Sequence, residues 1–379
     1  MKSLTRDAWV EVDKSIALKN FENIKDRVKK FNSSTKICAV VKANSYGMGS
    51  NEMARLYIES GVDYLAVATL KEALELRLVF WDVNILVLGY VPVDKYYLAM
   101  ENEITLTIFN YQHQAKKLQE VAKYLDRKAK IHVKVETGMN RIGFTLNDES
   151  IEAITDIYNM ENIELEGIFT HFAKADHAVK DMTFRQAKKF NEFIDILSER
   201  GVDIPIKHCA NSAAIIDMPE YLYDMCRPGI ILTGYYPSYE VCKQNLQINP
   251  CIALKAKIID LKDINPGEGV GYGHRFVAQK LTKVATIPLG YADGFDRVLS
   301  NKFYGIVKGE KSYQIGNICM DQMMFDVSNV DDVKLGDEII LFGYNDDGSL
   351  SADDLADRAG TISYEITSTL SPRLERVYK

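Results

Sequence analysis

Residues 36–69, KICAVVKANSYGMGSNEMARLYIESGVDYLAVAT, carry the alternation that decides the fold. KICAVVKA (36–43) is an apolar run that ends at a lysine, the pattern of a strand buried on both faces. NEMARLYIES (51–60) has helical spacing, and YLAVAT (64–69) is strand-like again. Strand, helix and strand in that order make a parallel pair with a helical crossover. The switching continues outward. Upstream, Leu18, Phe21, Val28 and Phe31 recur at helical spacing. Downstream, KEALELRLVF is helical, and NILVLGY, ITLTIF, KIHVKVET, LEGIFTHF, PIKHCA and CRPGIILTG extend the strand series to residue 234. Amphipathic segments such as YQHQAKKLQEVAKYL and RQAKKFNEFIDILSER lie between them. The eight strand-like segments predict a closed α/β barrel of the (β/α)8 TIM type, for which about 250 residues are typical. An open doubly wound sheet is the alternative that counting leaves standing.

Past residue 245 the texture changes to short β runs broken by Gly, Asn and Asp, among them CIALKAKIIDL, KLTKVATIPLGY, KFYGIVKG and DEIILFG, with SADDLADRAG as the one clear helix. The expectation is two domains, a barrel over 1–240 and a mainly β domain over 241–379. Hydrophobic residues make up 47% of the 379, enough for two cores. The net charge of -7 is spread without basic stripes, which argues against a nucleic-acid partner. MKSLTRDAWVEVDKS, at the start, lacks the apolar core of a signal peptide, and no apolar run reaches membrane-spanning length. The six cysteines form no CxxC pair, so a cytoplasmic protein with reduced thiols and no membrane partner is expected.

In such a barrel, polar residues that end apolar strands are the informative ones. Lys42 ends the first strand; it is either a lysine reaching outward to solvent or one used for its amine. NSYGMG follows, with two glycines suited to close approach of a ligand. His132, Lys134 and Glu136 alternate with Ile131, Val133 and Val135, a polar ladder on a strand whose faces are both buried, with Arg141 just beyond. That ladder is either a structural ion-pair layer or part of a site. His171 ends LEGIFTHF and has no neighbours at metal-ligand spacing, so no metal site is expected. Asn211 and Ser212 follow the seventh strand, and Arg227, Gly229 and Ile230 lie at the eighth, where barrels commonly bind phosphate. An imine-forming lysine with a phosphate cradle is the minimum equipment for pyridoxal phosphate.

Together these segments resemble the alanine racemase family over nearly the whole chain. The family's motifs are matched by VVKANSYGMG, KVETGMNRIG, FTHFAKAD, HCANSAA and RPGIILTG in the barrel, then by GEGVGYG, IPLGYADG, GNICMDQ and GTISYEI beyond it. The resemblance implies an isomerase that interconverts L- and D-alanine with pyridoxal 5'-phosphate, carried as an aldimine on Lys42. It further implies that Tyr46, Ser212, Gly229, Ile230 and Tyr364 hold the phosphate and that His171 lies beside the cofactor ring. By the same resemblance Arg227 faces the pyridine nitrogen. Arg141 reaches the phenolic oxygen and the substrate carboxylate, and it is oriented either by a carbamylated Lys134 or by another anion bound beside the unmodified lysine. Lys42 serves the D-side of the substrate and Tyr272 the L-side. Tyr272 acts, with Met320 and Asp321, in the active site of the other subunit of a homodimer.

Three positions depart from the family pattern: Met48 where histidine is common, Asn140 where glycine is common, and Asn317 where an arginine often stands. That arginine belongs to a substrate corridor with Tyr291, Asp176 and Arg297, so Asn317 alters the charge of the entrance. The neighbouring readings are a serine or broad-specificity racemase, disfavoured because Tyr364 crowds a larger side chain, and a non-catalytic pyridoxal-phosphate carrier, which has no β domain.

Overall fold

A computed structural model describes residues 4–345 and 348–379, which fall into two compact units. The first comprises Leu18–Ser45 and Ser50–Asn249. Its strands are Lys36–Val40, Tyr64–Val67, Asn84–Val87, Ile104–Ile108, Ala129–Glu136, Ile163–Phe169, Ile206–His208 and Met225–Cys226, each paired in parallel with the next in the chain as far as Ile206–His208. Met225–Cys226 pairs in parallel with Lys36–Val40. The remaining seam is closed by single bonds, Asp224 N to Lys207 O (3.1 Å) and Arg227 N to Ala210 O (2.9 Å). The eight expected strands are all present, and the sheet is a barrel rather than an open one. Their apolar runs follow from burial on both faces, by the barrel interior and by the helical layer. Helices Lys14–Phe31, Ser50–Glu59, Leu70–Arg77, Lys116–Tyr124 and Asp181–Glu199 fall where the helical spacing places them.

One strand expectation needs correction. In CRPGIILTG only Cys226 is strand, and Ile230–Thr233 coils into a 3-10 turn. Pro228 has no N–H for a ladder, and Gly229 takes φ -125, ψ -97 and turns the chain.

The second unit comprises Met1–Ala17, Tyr46–Gly49 and Pro250–Lys379. The expected division at 240/241 therefore moves to 249/250, and the first residues change sides. Ala8–Val12 is fully buried between Ile252–Lys257, antiparallel to it, and Glu375–Tyr378, parallel to it. Pairing of this kind spans the length of the chain and leaves no local signal. The unit is otherwise mainly antiparallel sheet, as expected. It holds the expected helix, Ala352–Ala359, capped by Ser351, and also a short one, Ser363–Ser368, that carries Tyr364. No helix among the described residues is long and apolar enough to cross a membrane.

Candidate functional site

The barrel's first strand ends at Val40, and Lys42 opens an unusual segment. Ala43, Asn44, Ser45 and Tyr46 all have φ between 51° and 54°, one turn of left-handed helix built without glycine. Apart from Asn44, whose short amide tolerates this region, each such residue costs about 1 kcal/mol or more, so the turn must be held from outside. Glu72 accepts from Ala43 N (2.7 Å), Asn44 Oδ1 accepts from Ser50 N (2.9 Å), and Ser45 N donates to Val41 O (2.9 Å). Glu72 is itself fixed by a capping box with Thr69. The lysine is thus presented from a rigid platform. Burial lowers its amine pKa, Arg141 adds to the effect, and Glu72 opposes it.

The two glycines of NSYGMG are required, but by their own unit rather than by a ligand. A Cβ at Gly47 (φ +91) would lie 2.1 Å from Thr367 O, and one at Gly49 (φ +101) would lie 1.9 Å from the Tyr378 hydroxyl. Met48, where histidine is common, is fully buried, its sulfur 3.4 Å from the Cys251 thiol.

Lys134 is 2% exposed, and its Nζ donates to Val135 O at 2.6 Å. Burial brings its amine down to about 7; Glu136 opposes this, while Arg227 and Arg141 reinforce it. The ladder is no simple ion-pair layer, because the Glu136 carboxylate is committed to backbone amides: Gly138 N, Met139 N (2.6 Å) and Arg141 N (3.4 Å). Burial alone would raise that carboxyl; the Asn140 and Gly138 amides, the Lys134 charge and the Met139 amide outweigh it and hold it below its usual range. Asn140, in the same loop, sits at φ +55, which explains how it stands in for glycine: a short amide side chain tolerates this region.

Arg227 is buried and locked. Its Nη2 donates to Thr170 O (2.8 Å), Cys209 O (3.1 Å) and His171 Nδ1 (3.3 Å), and Nη1 donates to His208 Nδ1 (2.7 Å). A guanidinium only donates, so every partner must accept. His208 therefore carries its proton on Nε2 and gives it to His132 Nδ1 (2.8 Å), and His132 donates from Nε2 to Glu166 (3.1 Å). Tyr64 closes the chain on the same carboxylate (2.8 Å). Burial, and then Arg227, hold the pKa of His171 and of His208 well below the ordinary value, so both are neutral. His171 also feels Arg141, Lys134 and Lys42. Lys42, Arg141, Arg227 and a partly protonated Lys134 thus converge on one neutral histidine.

The loops after strands seven and eight are joined directly, since Gly229 N donates to Ser212 Oγ at 2.9 Å. Ser212 keeps its hydroxyl proton for another acceptor. Asn211 caps Ser212–Asp217 through Ala214 N (3.1 Å), so its side chain fixes the helix start. Ile230 opens the 3-10 turn that follows.

In the second unit, the rings of Tyr46 and Tyr364 meet edge to face, 6.2 Å apart. Tyr272 is 76% exposed, on a tight turn between Gly271 (φ 67) and Gly273 (φ 70). It lines a concavity of about 560 Å³ with Tyr291, Arg297, Asn317, Met320 and Asp321. The Asp321 carboxylate accepts from Arg373 (2.7 Å), and its carbonyl accepts from Arg6 (3.1 Å). Arg6 is anchored in turn on the buried Asp293 (2.6 and 3.0 Å).

Sequence reasoning missed Glu72, His208, His132 as a relay member, and Glu166. Only Glu72 had a readable signal, the T-x-x-E spacing of Thr69 to Glu72 ahead of a helix.

Residues 12–237 match the family model described as alanine racemase, N-terminal domain, and residues 251–378 match alanine racemase, C-terminal domain. The chain is 44% identical to an alanine racemase of Methanococcus maripaludis, covering 98% of each protein, and 41% identical to one of Clostridium perfringens, covering 100% of this chain and 97% of that one. Among solved structures it is similar to alanine racemase from Clostridium difficile 630, with a TM-score of 0.94 and 42% identity over 100% of this chain and 97% of that one. It is also similar to the Bacillus anthracis enzyme with bound L-Ala-P, with a TM-score of 0.91 and 34% identity over 100% of this chain and 96% of that one.

Proposed function

The chain belongs to the alanine racemase family, and from that premise we propose that Lys42 and the Tyr272 of a partner subunit are the two bases that carry alanine's α-proton between its faces. The observation that carries the reading is the convergence of Lys42, Lys134, Arg141 and Arg227 on His171 while Glu136, the carboxylate beside them, is spent on backbone amides. A buried cationic excess calls for anionic ligands. The phosphate of pyridoxal 5'-phosphate and the carboxylate of an amino acid fit that demand. When bound, the cofactor supplies an electron sink conjugated to the substrate nitrogen, which acidifies the α-proton.

The chain's own groups then divide the work. Lys42, its amine pKa lowered by burial, would hold the cofactor and would be the base on the D-side. Tyr272 serves the L-side, so the substrate need not turn over. Arg227, held by four acceptors, can offer only donors, so a ring nitrogen facing it would be left unprotonated. By the resemblance His171 would lie beside the ring, and Ser212, with its hydroxyl proton available, Ile230 and the loop that Asn211 caps would hold the phosphate. Arg141 orients the substrate carboxylate, and Met320 and Asp321 line the partner's share of the pocket. With its amine at about 7, a large fraction of Lys134 is neutral at that pH, and the neutral form is the one that adds to carbon dioxide. Forming the N–C bond releases one proton and leaves a carbamate anion, a fixed counter-charge for Arg141.

Borohydride reduction of the holoenzyme followed by peptide mapping tests the assignment. The reduced cofactor should be found on Lys42, and a label on any other lysine would overturn it.

A further inference from the structure

The turn that bears Tyr272 has little to hold it. Gly271, Gly273 and His274 all have positive φ, and its internal backbone bond, His274 N to Gly271 O, is a long 3.3 Å. The Tyr272 ring is exposed, so its direction must come from the backbone. Asn317 supplies the missing support. Its side chain is buried and both ends of the amide are used: Nδ2 donates to Tyr272 O at 2.7 Å, and Oδ1 accepts from Arg275 Nη1 at 3.4 Å. The two bonds span the turn from Tyr272 to the residue that ends it. Asn317 is fixed from behind, because Gly316 N donates to Asn301 Oδ1 (2.7 Å) and Ile318 N to Ser300 Oγ (3.0 Å). The same residue borders both glycines, at Gly271 behind Met324 Cε, which lies 2.9 Å from a built Cβ. Asn317 O lies 3.7 Å from a Cβ built at Gly271, and Asn317 Nδ2 lies 3.9 Å from one built at Gly273.

We propose that Asn317 is a positioning residue for proton transfer at Tyr272, acting through the hydrogen bond from its amide to the Tyr272 carbonyl. An arginine here could not accept from Arg275 and would set two cations together, so the asparagine and Arg275 form a matched pair. The proposal rests on Tyr272 being the L-side base, and the experiment separates the two claims.

Primary isotope effects are measured with α-deuterated L-alanine and α-deuterated D-alanine on wild type, Asn317→Ala, Asn317→Asp and Tyr272→Phe. A weakened L-side base makes proton removal from L-alanine more rate-limiting and removal from D-alanine less so. The isotope effect should therefore rise for the L-isomer and fall for the D-isomer, with kcat down about tenfold in both Asn317 variants. Aspartate keeps the size and the contact with Arg275 but cannot donate to the Tyr272 carbonyl, so it should behave like alanine. An isotope effect is a ratio, so a misfolded fraction leaves it unmoved. If Tyr272→Phe shifts the pair while either Asn317 variant matches wild type, the positioning role is wrong and Tyr272 stands. If Tyr272→Phe shifts neither isomer, Tyr272 is not the L-side base, and the role of Asn317 falls with it.

Discussion

At the carboxyl end of the barrel, reactive side chains are buried and braced from several directions; around the Tyr272 concavity they stand in water on a thinly supported turn. Lys42 rides on a left-handed turn tied down by Glu72, Ser50 and Val41, and Arg227 has four hydrogen-bond acceptors. Burial there shifts the Lys134 amine to about 7 and keeps two histidines neutral. Tyr272, at 76% exposure, has no such environment of its own. Directed proton transfer is favoured where water is excluded. The barrel share is organised within the chain; on the proposed reading, the Tyr272 share is the one that another surface would desolvate. A second copy of the chain is what the proposed function supplies.

Complementation between the two regions gives the largest expected effect. Lys42→Ala and Tyr272→Phe should each lower kcat by at least about 10³-fold, as loss of an essential base does. Mixed with free subunit exchange in equal amounts, they should recover about a quarter of wild-type activity. About half the dimers are then mixed, and in each of these one of the two sites combines an intact Lys42 with the partner's intact Tyr272. Mass-tagged subunits verify the exchange. Exchange without recovery would place both bases on one chain and remove the reason for the contrast.

The next test sharpens the barrel side. If Lys134 reacts with carbon dioxide, enzyme stripped of bicarbonate should lose activity, about tenfold or more, and regain it on resupply. The sign of the pH dependence follows from the depressed amine. Only the neutral form is nucleophilic, so at fixed dissolved carbon dioxide the reactivation rate should climb as pH rises through about 7 and then level off. An ordinary lysine would keep gaining reactivity to about pH 10. Lys134→Met should show no bicarbonate response. A bicarbonate response that survives in Lys134→Met would assign the effect elsewhere.

How much of this was legible in the sequence divides along the same line. The eight barrel strands could be read because strands buried on both faces are nearly continuous apolar runs, and Lys42, Lys134, His171 and Arg227 stood out against that background. The same rule misread Ile230–Thr233, since an apolar run marks burial and does not by itself separate strand from turn. Ala8–Val12 was placed with the barrel because its partners lie at the far end of the chain. Ser363–Ser368 is six residues, too short for a helical period to register. The left-handed turn at Ala43–Tyr46 left no trace, because none of its residues is glycine. Glu166 and His208 were invisible as site residues, since their role exists only through a relay across the barrel. Tyr272, exposed among glycines, carried no physical signal at all and was found only by resemblance.

The smallest expected effect concerns Asn140, where the braced region departs from the family pattern. Its backbone lies at φ +55 in the loop whose amides bind Glu136 and lead to Arg141. Asparagine pays little for that conformation, glycine pays nothing there but gains freedom in the unfolded chain, and alanine pays about 1 kcal/mol. Stability by thermal or denaturant unfolding should therefore run wild type, then Asn140→Gly, then Asn140→Ala, with a total spread of about 1 kcal/mol. The Glu136 carboxylate still receives its amides in all three, so KM for alanine should stay within about twofold. A loss several times larger in Asn140→Gly would mean that the asparagine side chain, rather than its tolerance of positive φ, holds the loop. The brace around Arg141 would then depend on a residue particular to this chain.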